Sequence, residues 1–421
     1  MTIRARKVVW NTGLSLGLNL TVRAAGALTF IALGRLGSPS DAGTFSLAVG
    51  FLAILTTLFV GVDDILVREV ARQPDRSWSI LVTYGVLRMG LCLAAWVILI
   101  AILTALSIYS TPDLLVVVVI TSSILLDTFS ALAQSVFNAH HRFGWPFAAI
   151  FVGSALELGV ALLALQRHAG LLAIAWASPI GSLVTAVILI AAVAVYLRGW
   201  PRPDRWIEWD NGLALLRLVP AFAGSSLLSA LEYQLDVILL SVIVTHADVA
   251  EYSAAVTVML VVLTFSQAYR IVLYPMLVRS VSTHVAQARQ LLGRSLLAMG
   301  CAALFAATVI SLAAPVVIHV VFGARFDAAI PVLRVLIWNV VWFFLNVPLV
   351  RFMLAANGQS TVFRTFLVSL TVNVLANLFL IPRLGPLGSA YARLLSSGLF
   401  CVFIAWAVAR RLRQPDRLPA L

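Results

Sequence analysis

Charge is scarce in this chain. Asp, Glu, Lys and Arg make up 11% of its 421 residues while 62% are hydrophobic, against about 25% charged in an ordinary soluble domain. Cysteine is almost missing too. Cys92, Cys301 and Cys401 each fall inside an apolar segment, with no CxxC pair and no cluster of ligand spacing, which excludes a disulfide framework and a zinc site. Long hydrophilic loops are absent, so no independent soluble domain fits between the apolar runs. Catalytic signatures are absent as well: His140 and His141 sit in a short loop, His168 and His246 at turns, and no Ser/His/Asp, HExxH or phosphate-loop pattern occurs. An enzyme is not expected.

What the chain does have is apolar runs of roughly 20 residues, each long enough to cross a hydrocarbon core of about 30 Å. The expected spans are 11-34, 42-67, 78-106, 114-137, 145-166, 169-197, 213-244, 252-278, 295-320, 332-354, 365-382 and 389-409. The first follows Arg4, Arg6 and Lys7 and exceeds the 7 to 15 apolar residues usual for a signal peptide, so it reads as a retained helix. The expected fold class is therefore an all-α polytopic membrane protein of about twelve transmembrane helices.

The formal charge of +12 would suggest nucleic acid in a soluble protein. Here the cations sit mostly between spans, where topology and anionic headgroups account for them, and no nucleic-acid partner is expected. With a cytoplasmic N-terminus, 19 of the 29 Lys and Arg fall on the cytoplasmic side, 4 outside and 6 within spans. That bias orients the chain with both termini in the cytoplasm.

The longest connector, 198–212, contains Pro, Trp and Arg and lies at the midpoint. Around it the chain repeats. Asp41-Ala42-Gly43-Thr44-Phe45-Ser46 after span 1 parallels Asp248-Val249-Ala250-Glu251-Tyr252-Ser253 after span 7, and Gly170-Leu171 opening span 6 parallels Gly385-Pro386 opening span 12. The expected domains are an N-terminal lobe 1-200, a linker 201-212 and a C-terminal lobe 213-421. Six spans return the chain to its starting side, so the lobes should relate by a pseudo-two-fold axis along the membrane normal, with a cleft between them.

Polar residues inside spans are costly, about 2.5 to 3.5 kcal/mol for a charge at the bilayer centre, and so are informative. Span 1 carries Asn11, Ser15, Asn19 and Arg23; span 4 carries Ser123, Asp127, Ser130, Gln134 and Asn138; span 7 carries Ser225, Ser229, Glu232 and Asp236. Span 8 adds Gln267, Arg270 and Tyr274, and span 11 adds Asn373 and Asn377. Such stripes serve either as interhelical hydrogen-bond glue or as the lining of a cavity.

Arg23 and Arg88 lie about 15 Å from either span end, too deep for easy snorkelling. With Arg270, Asn19, Gln267, Tyr274, Asn373 and Asn377 they form the candidate substrate-binding set. A guanidinium fork suits phosphate oxygens, so a pyrophosphate head is a fitting ligand. Arg334, Arg351 and Arg393 lie nearer span ends and read as headgroup anchors. Asp127, Glu157, Glu232 and Asp236 read either as counter-charges or as carriers of H⁺ or Na⁺. Asp63 and Asp64, close in sequence to Arg68 and Glu69, read as interfacial.

The segments LGRLGSPSDAGTFSLA (33–48), GVDDILVREVAR (61–72), DVAEYSAA (248–255), VFGARFDAAIPVLRVL (321–336) and NVLANLFLIPRLGPLGSAYARLLSS (373–397) together resemble the polysaccharide-exporter family, flippases of lipid-linked oligosaccharides within the multidrug/oligosaccharidyl-lipid/polysaccharide exporter superfamily. The resemblance implies two six-helix lobes in a fold shared with multidrug antiporters and the peptidoglycan-precursor flippase (MATE-like). It further implies alternating access in a bacterial inner membrane, a polyprenyl-pyrophosphate oligosaccharide as substrate, a basic cavity to which Arg23 and Arg270 contribute, and polymerase and chain-length machinery as partners. The chain ends soon after span 12, which favours an exopolysaccharide, capsule or O-antigen unit over peptidoglycan precursor. Two rivals remain at this point: a cation-coupled drug or small-molecule antiporter on the same fold, which would favour an acidic aromatic pocket, and a membrane glycan polymerase or ligase, which would be expected to need a substantial external loop.

Overall fold

In a computed structural model the protein is described at residues 17, 21–22, 24–200, 206–207, 209, 231, 234–283 and 285–413, with only the backbone of Gln267 and a few neighbours defined. Among these residues the regular structure is entirely helical, as a bilayer requires of a chain that must satisfy its own backbone polar groups. Arg23, Asn19 and Glu232 lie outside the described residues.

Among the described residues ten helical stretches are long and apolar enough to cross a membrane. Their helices are α2 (Pro39–Leu58) continuing into α3 (Val60–Arg72), α4 (Ser77–Leu106), α5 (Thr111–Ala139), α6 (Gly144–Gln166), α7 (Leu171–Ala175) with α8 (Ala177–Tyr196), α10 (His246–Thr283), α11 (Val285–Val321), α12 (Ala329–Leu336) with α13 (Asn339–Ala355), α14 (Gln359–Leu384) and α15 (Pro386–Leu412). The first and seventh expected spans are represented by two shorter apolar helices, α1 (Ala24–Leu36) and α9 (Gln234–Ile243). The all-helical, multi-pass architecture read from the hydropathy pattern is thus the observed one.

Local chemistry fixes the helix starts. Ser38 caps α2 by accepting from the Asp41 amide at 3.0 Å, and Pro39 supplies a preset φ just inside the helix. At the corresponding place in the second half the Asp248 carboxylate accepts from the Thr245 amide at 3.0 Å, while the Thr245 hydroxyl accepts from the Asp248 amide at 3.3 Å. This is a reciprocal capping box that satisfies donors a helix start would otherwise orphan. The second repeated pair behaves alike: Gly170 precedes α7 at φ +83° and Gly385 precedes α15 at φ +57°, conformations open to glycine at little cost. Both sequence parallels therefore fall on matching turns.

By contact the chain divides into two compact units, 1–234 and 235–421. In the first, α8 packs on both α5 and α6. The α6–α8 crossing is close because Gly153 meets Gly181: a Cβ on Gly181 would stand 2.9 Å from the Gly153 carbonyl oxygen and 2.8 Å from the Glu157 Cβ. A buried cluster of Leu55, Phe59, Ile65, Leu66 and Cys92 joins α2, α3 and α4. In the second, Leu273, Leu277, Phe352, Met353 and Ile404 form the core where α10, α13 and α15 meet. The outer surface is apolar: Phe265, Phe305 and Leu312 are 73%, 73% and 77% exposed, as suits contact with lipid rather than water.

Candidate functional site

Each unit buries an arginine against an aspartate. In the first, Arg88 on α4 donates through Nε to Asp63 Oδ1 at 2.7 Å and through Nη2 to Oδ2 at 3.0 Å, a bidentate fork. The Phe59 ring lies 5.5 Å from its guanidinium carbon. Arg88 is 4% exposed. Asp63 is therefore not an interfacial group beside Arg68, as its sequence neighbours suggested. Arg68 and Arg72 pair with Glu69 instead, and α3 turns Asp63 inward toward α4.

Near this pair runs the acidic part of the span-4 stripe. Asp127 lies close to Ser182 on α8 and feels the field of Arg88, and Glu157 on α6 is within electrostatic reach of Asp127. Ser123 is buried and lies 3.4 Å from the Ser178 hydroxyl. The stripe on α5 faces α8, with Glu157 of α6 close by. Asp127 thus lies within electrostatic reach both of Glu157 and of Arg88, which is bonded to Asp63.

In the second unit Asp236 on α9 is the hub of a buried network. Its Oδ2 accepts from Arg393 Nη1 at 2.8 Å and from the Tyr252 hydroxyl at 2.7 Å, and its Oδ1 accepts from Asn377 Nδ2 at 2.9 Å. Asn377 also donates to Asn373 Oδ1 at 3.1 Å, and Asn373 donates to Ser396 Oγ at 3.3 Å. Asp236 and Arg393 are 1% and 3% exposed. Arg393 is accordingly no headgroup anchor: α15 carries it into the interior, where removal from water must be offset by the paired carboxylate and the surrounding donors. Asn373 and Asn377, candidates for sugar contact, have their amides engaged inside this network.

The remaining candidate cation is not paired in this way. Arg270 is exposed on α10, and Arg351 on α13 lies within its repulsive field. Arg351 stands 5.8 Å from the Tyr274 ring centre, a cation–π distance. Among the described residues neither arginine is ion-paired with a carboxylate. Position along the helices also matters. Arg270 is about 36 Å along α10 from His246 at the α-helical rise, beyond a hydrocarbon core of about 30 Å. Arg270, Tyr274 and Arg351 thus cluster toward one membrane boundary. Span ends alone placed Arg351 there as a solitary anchor; its proximity to Arg270 was not visible, since the two are 81 positions apart in the chain.

This fold, a multi-pass bundle with buried charge in both units, is that of the MOP superfamily transporters. An inward-facing MATE multidrug resistance transporter superposes with a TM-score of 0.77 at 14% identity, covering 97% of this chain and 100% of that one. The lipid II flippase MurJ in an inward closed conformation gives 0.73 at 13%, covering 96% and 89%. A MOP superfamily transporter from Pyrococcus furiosus gives 0.64 at 12%, covering 97% and 96%. These neighbours are transporters and a flippase, not enzymes. No curated protein matches by sequence. The chain belongs to the polysaccharide biosynthesis protein family, whose family model matches residues 8–281.

Proposed function

We propose that the protein is a flippase that moves a polyprenyl-pyrophosphate-linked oligosaccharide from the cytoplasmic to the outer leaflet of a bacterial inner membrane by alternating access. The observation that carries this reading is Arg351, 5.8 Å from the Tyr274 ring and within the field of Arg270, with neither arginine ion-paired to a carboxylate among the described residues, in a chain of the polysaccharide biosynthesis family. Two like charges at one boundary cost energy unless an anion joins them, and a pyrophosphate offers acceptors to both forks. The basic side of the loops makes this the cytoplasmic boundary, where the head would first be captured. Arg23, Asn19 and Gln267 then stand as the proposed deeper contacts. No covalent chemistry is required.

The test is reconstitution in liposomes with a fluorescent polyprenyl-pyrophosphate glycan. Arg270→Gln and Arg351→Gln should each slow translocation with the protein still folded, and unchanged rates in both would refute the assignment.

A second reading has one observation in its favour. Asp127 and Glu157 lie within electrostatic reach of each other while Arg88, whose field Asp127 feels, is already committed to Asp63, an arrangement suited to H⁺ or Na⁺ exchange in a small-molecule antiporter. Efflux of cationic dyes from the same liposomes, with no movement of any lipid-linked glycan, would favour it.

A further inference from the structure

We infer that the first unit carries a binding site for an anionic phospholipid, whose acyl chain lies in an apolar groove formed by α4, α5 and α8. The groove encloses about 560 Å³ and runs from Trp78 to Met89 along α4, with Phe129, Ala133, Ile190 and Ala194 on its other walls. Small residues shape it: Gly85 lets α4 close onto Leu132 of α5, where a Cβ would stand 3.2 Å from the leucine Cδ1, and Ala133 and Ala194 leave room on the facing helices. Its lip is open to lipid, with Val86, Ile190 and Phe129 46%, 46% and 41% exposed. Water finds no polar partner in such a cleft, and leaving it void forfeits dispersion contacts along every wall. Hydrocarbon is the filler the surroundings supply.

Two further features select the ligand. The distance from Trp78 to Met89 is about 16 Å at the helical rise, matching the roughly 15 Å of one leaflet's hydrocarbon. An ordinary acyl chain fits that depth, whereas a polyprenyl chain greatly exceeds it. The rim is aromatic and basic. Trp78 donates from Nε1 to the Leu197 carbonyl at 3.4 Å, tying the start of α4 to the end of α8, and Trp206 packs edge-on against it at 6.2 Å. Arg76, two residues before Trp78, and Arg198, next in the chain to Leu197, are both exposed, and Arg76 donates to the Gln73 side chain at 3.2 Å. Interfacial tryptophans at headgroup level, with an exposed cation near the end of each of the two helices they join, form a receptor for a phosphate whose chain continues into the groove.

The experiment uses the full chain in vesicles containing phosphatidylglycerol with a diazirine in its acyl chain, followed by mass-spectrometric location of the adducts. Adducts should concentrate on Val86, Met89 and Phe129. Val86→Trp and Ala194→Trp, both at exposed positions, should each deplete them. Preference for phosphatidylglycerol over a phosphatidylcholine probe should fall by about fivefold for each of Arg76→Gln and Arg198→Gln, with labelling by the neutral lipid retained. The Arg variants leave the helix packing intact, so they test the site even if a Trp variant fails to fold. Adducts spread evenly over all lipid-facing helices would overturn the proposal. So would displacement of the phosphatidylglycerol probe by an equal amount of polyprenyl phosphate, which would make the groove a substrate-tail site.

Discussion

Arg393 and Asp236 stand 157 positions apart in the chain and 2.8 Å apart in the structure, both almost wholly removed from solvent. Removing one partner strands a buried charge. Arg393→Ala and Asp236→Ala should each destabilise the protein by about 3 to 5 kcal/mol, read as a large fall in the melting temperature in detergent. The double replacement Asp236→Leu with Arg393→Met should cost much less than the sum of the singles, because no uncompensated charge remains.

Arg88 tests the geometry of the other pair. Arg88→Lys keeps the charge but cannot reproduce the two-pronged contact with Asp63, and should cost about 1.5 to 3 kcal/mol. A melting temperature equal to that of the parent would show that the second prong contributes nothing.

The α6–α8 crossing should tolerate no side chain at its centre. Gly181→Val would drive methyl groups into the Gly153 carbonyl and the Glu157 side chain, costing about 1 to 3 kcal/mol by overpacking and lowering the yield of monodisperse protein on size exclusion. Gly90, with open space around a Cβ, is the control: Gly90→Ala should be neutral or slightly stabilising.

The capping box at α10 should be worth about 1 kcal/mol. Thr245→Ala removes the one hydroxyl that both accepts from the Asp248 amide and donates to its carboxylate, whereas Thr245→Ser should keep most of the stability. Equal melting temperatures for the two variants would contradict this.

Arg270→Gln should separate function from stability. Because Arg270 repels Arg351 and pairs with no carboxylate among the described residues, its neutralisation should leave the melting temperature unchanged or raised while translocation of the anionic lipid head falls. A matched loss of both would recast it as a structural residue.

Much of the architecture was readable because its signals are one-dimensional. Apolar runs mark spans, Asp41 and Asp248 mark capped turns, and Gly170 and Gly385 mark the same turn in each half. Depth along a helix was readable too, which is how Arg88 was singled out. What sequence could not supply was rotation about each axis and the identity of the facing helix. Arg393 sits within two turns of its helix start and so resembled an anchor, yet α15 is turned to present it to Asp236. Asp63 resembled an interfacial acid because Arg68 and Glu69 are its neighbours in the chain, though not in space. The groove beside Trp78 depends on three small or apolar faces meeting, and none of them signals it alone.

The Asp236 network has a mechanical consequence. One carboxylate on α9 is held at once from α10 by Tyr252, from α14 by Asn377 and from α15 by Arg393, so these four helices are riveted at a single point and must shift as a block there. Farther along, α10 contains Pro275, whose ring displaces the hydrogen bond that would have stiffened the preceding turn. That helix is thus pinned near one end and softened near the other. Arg270 and Tyr274 flank that softened turn, while Leu273 and Leu277 beside them keep the helix packed on α13 and α15.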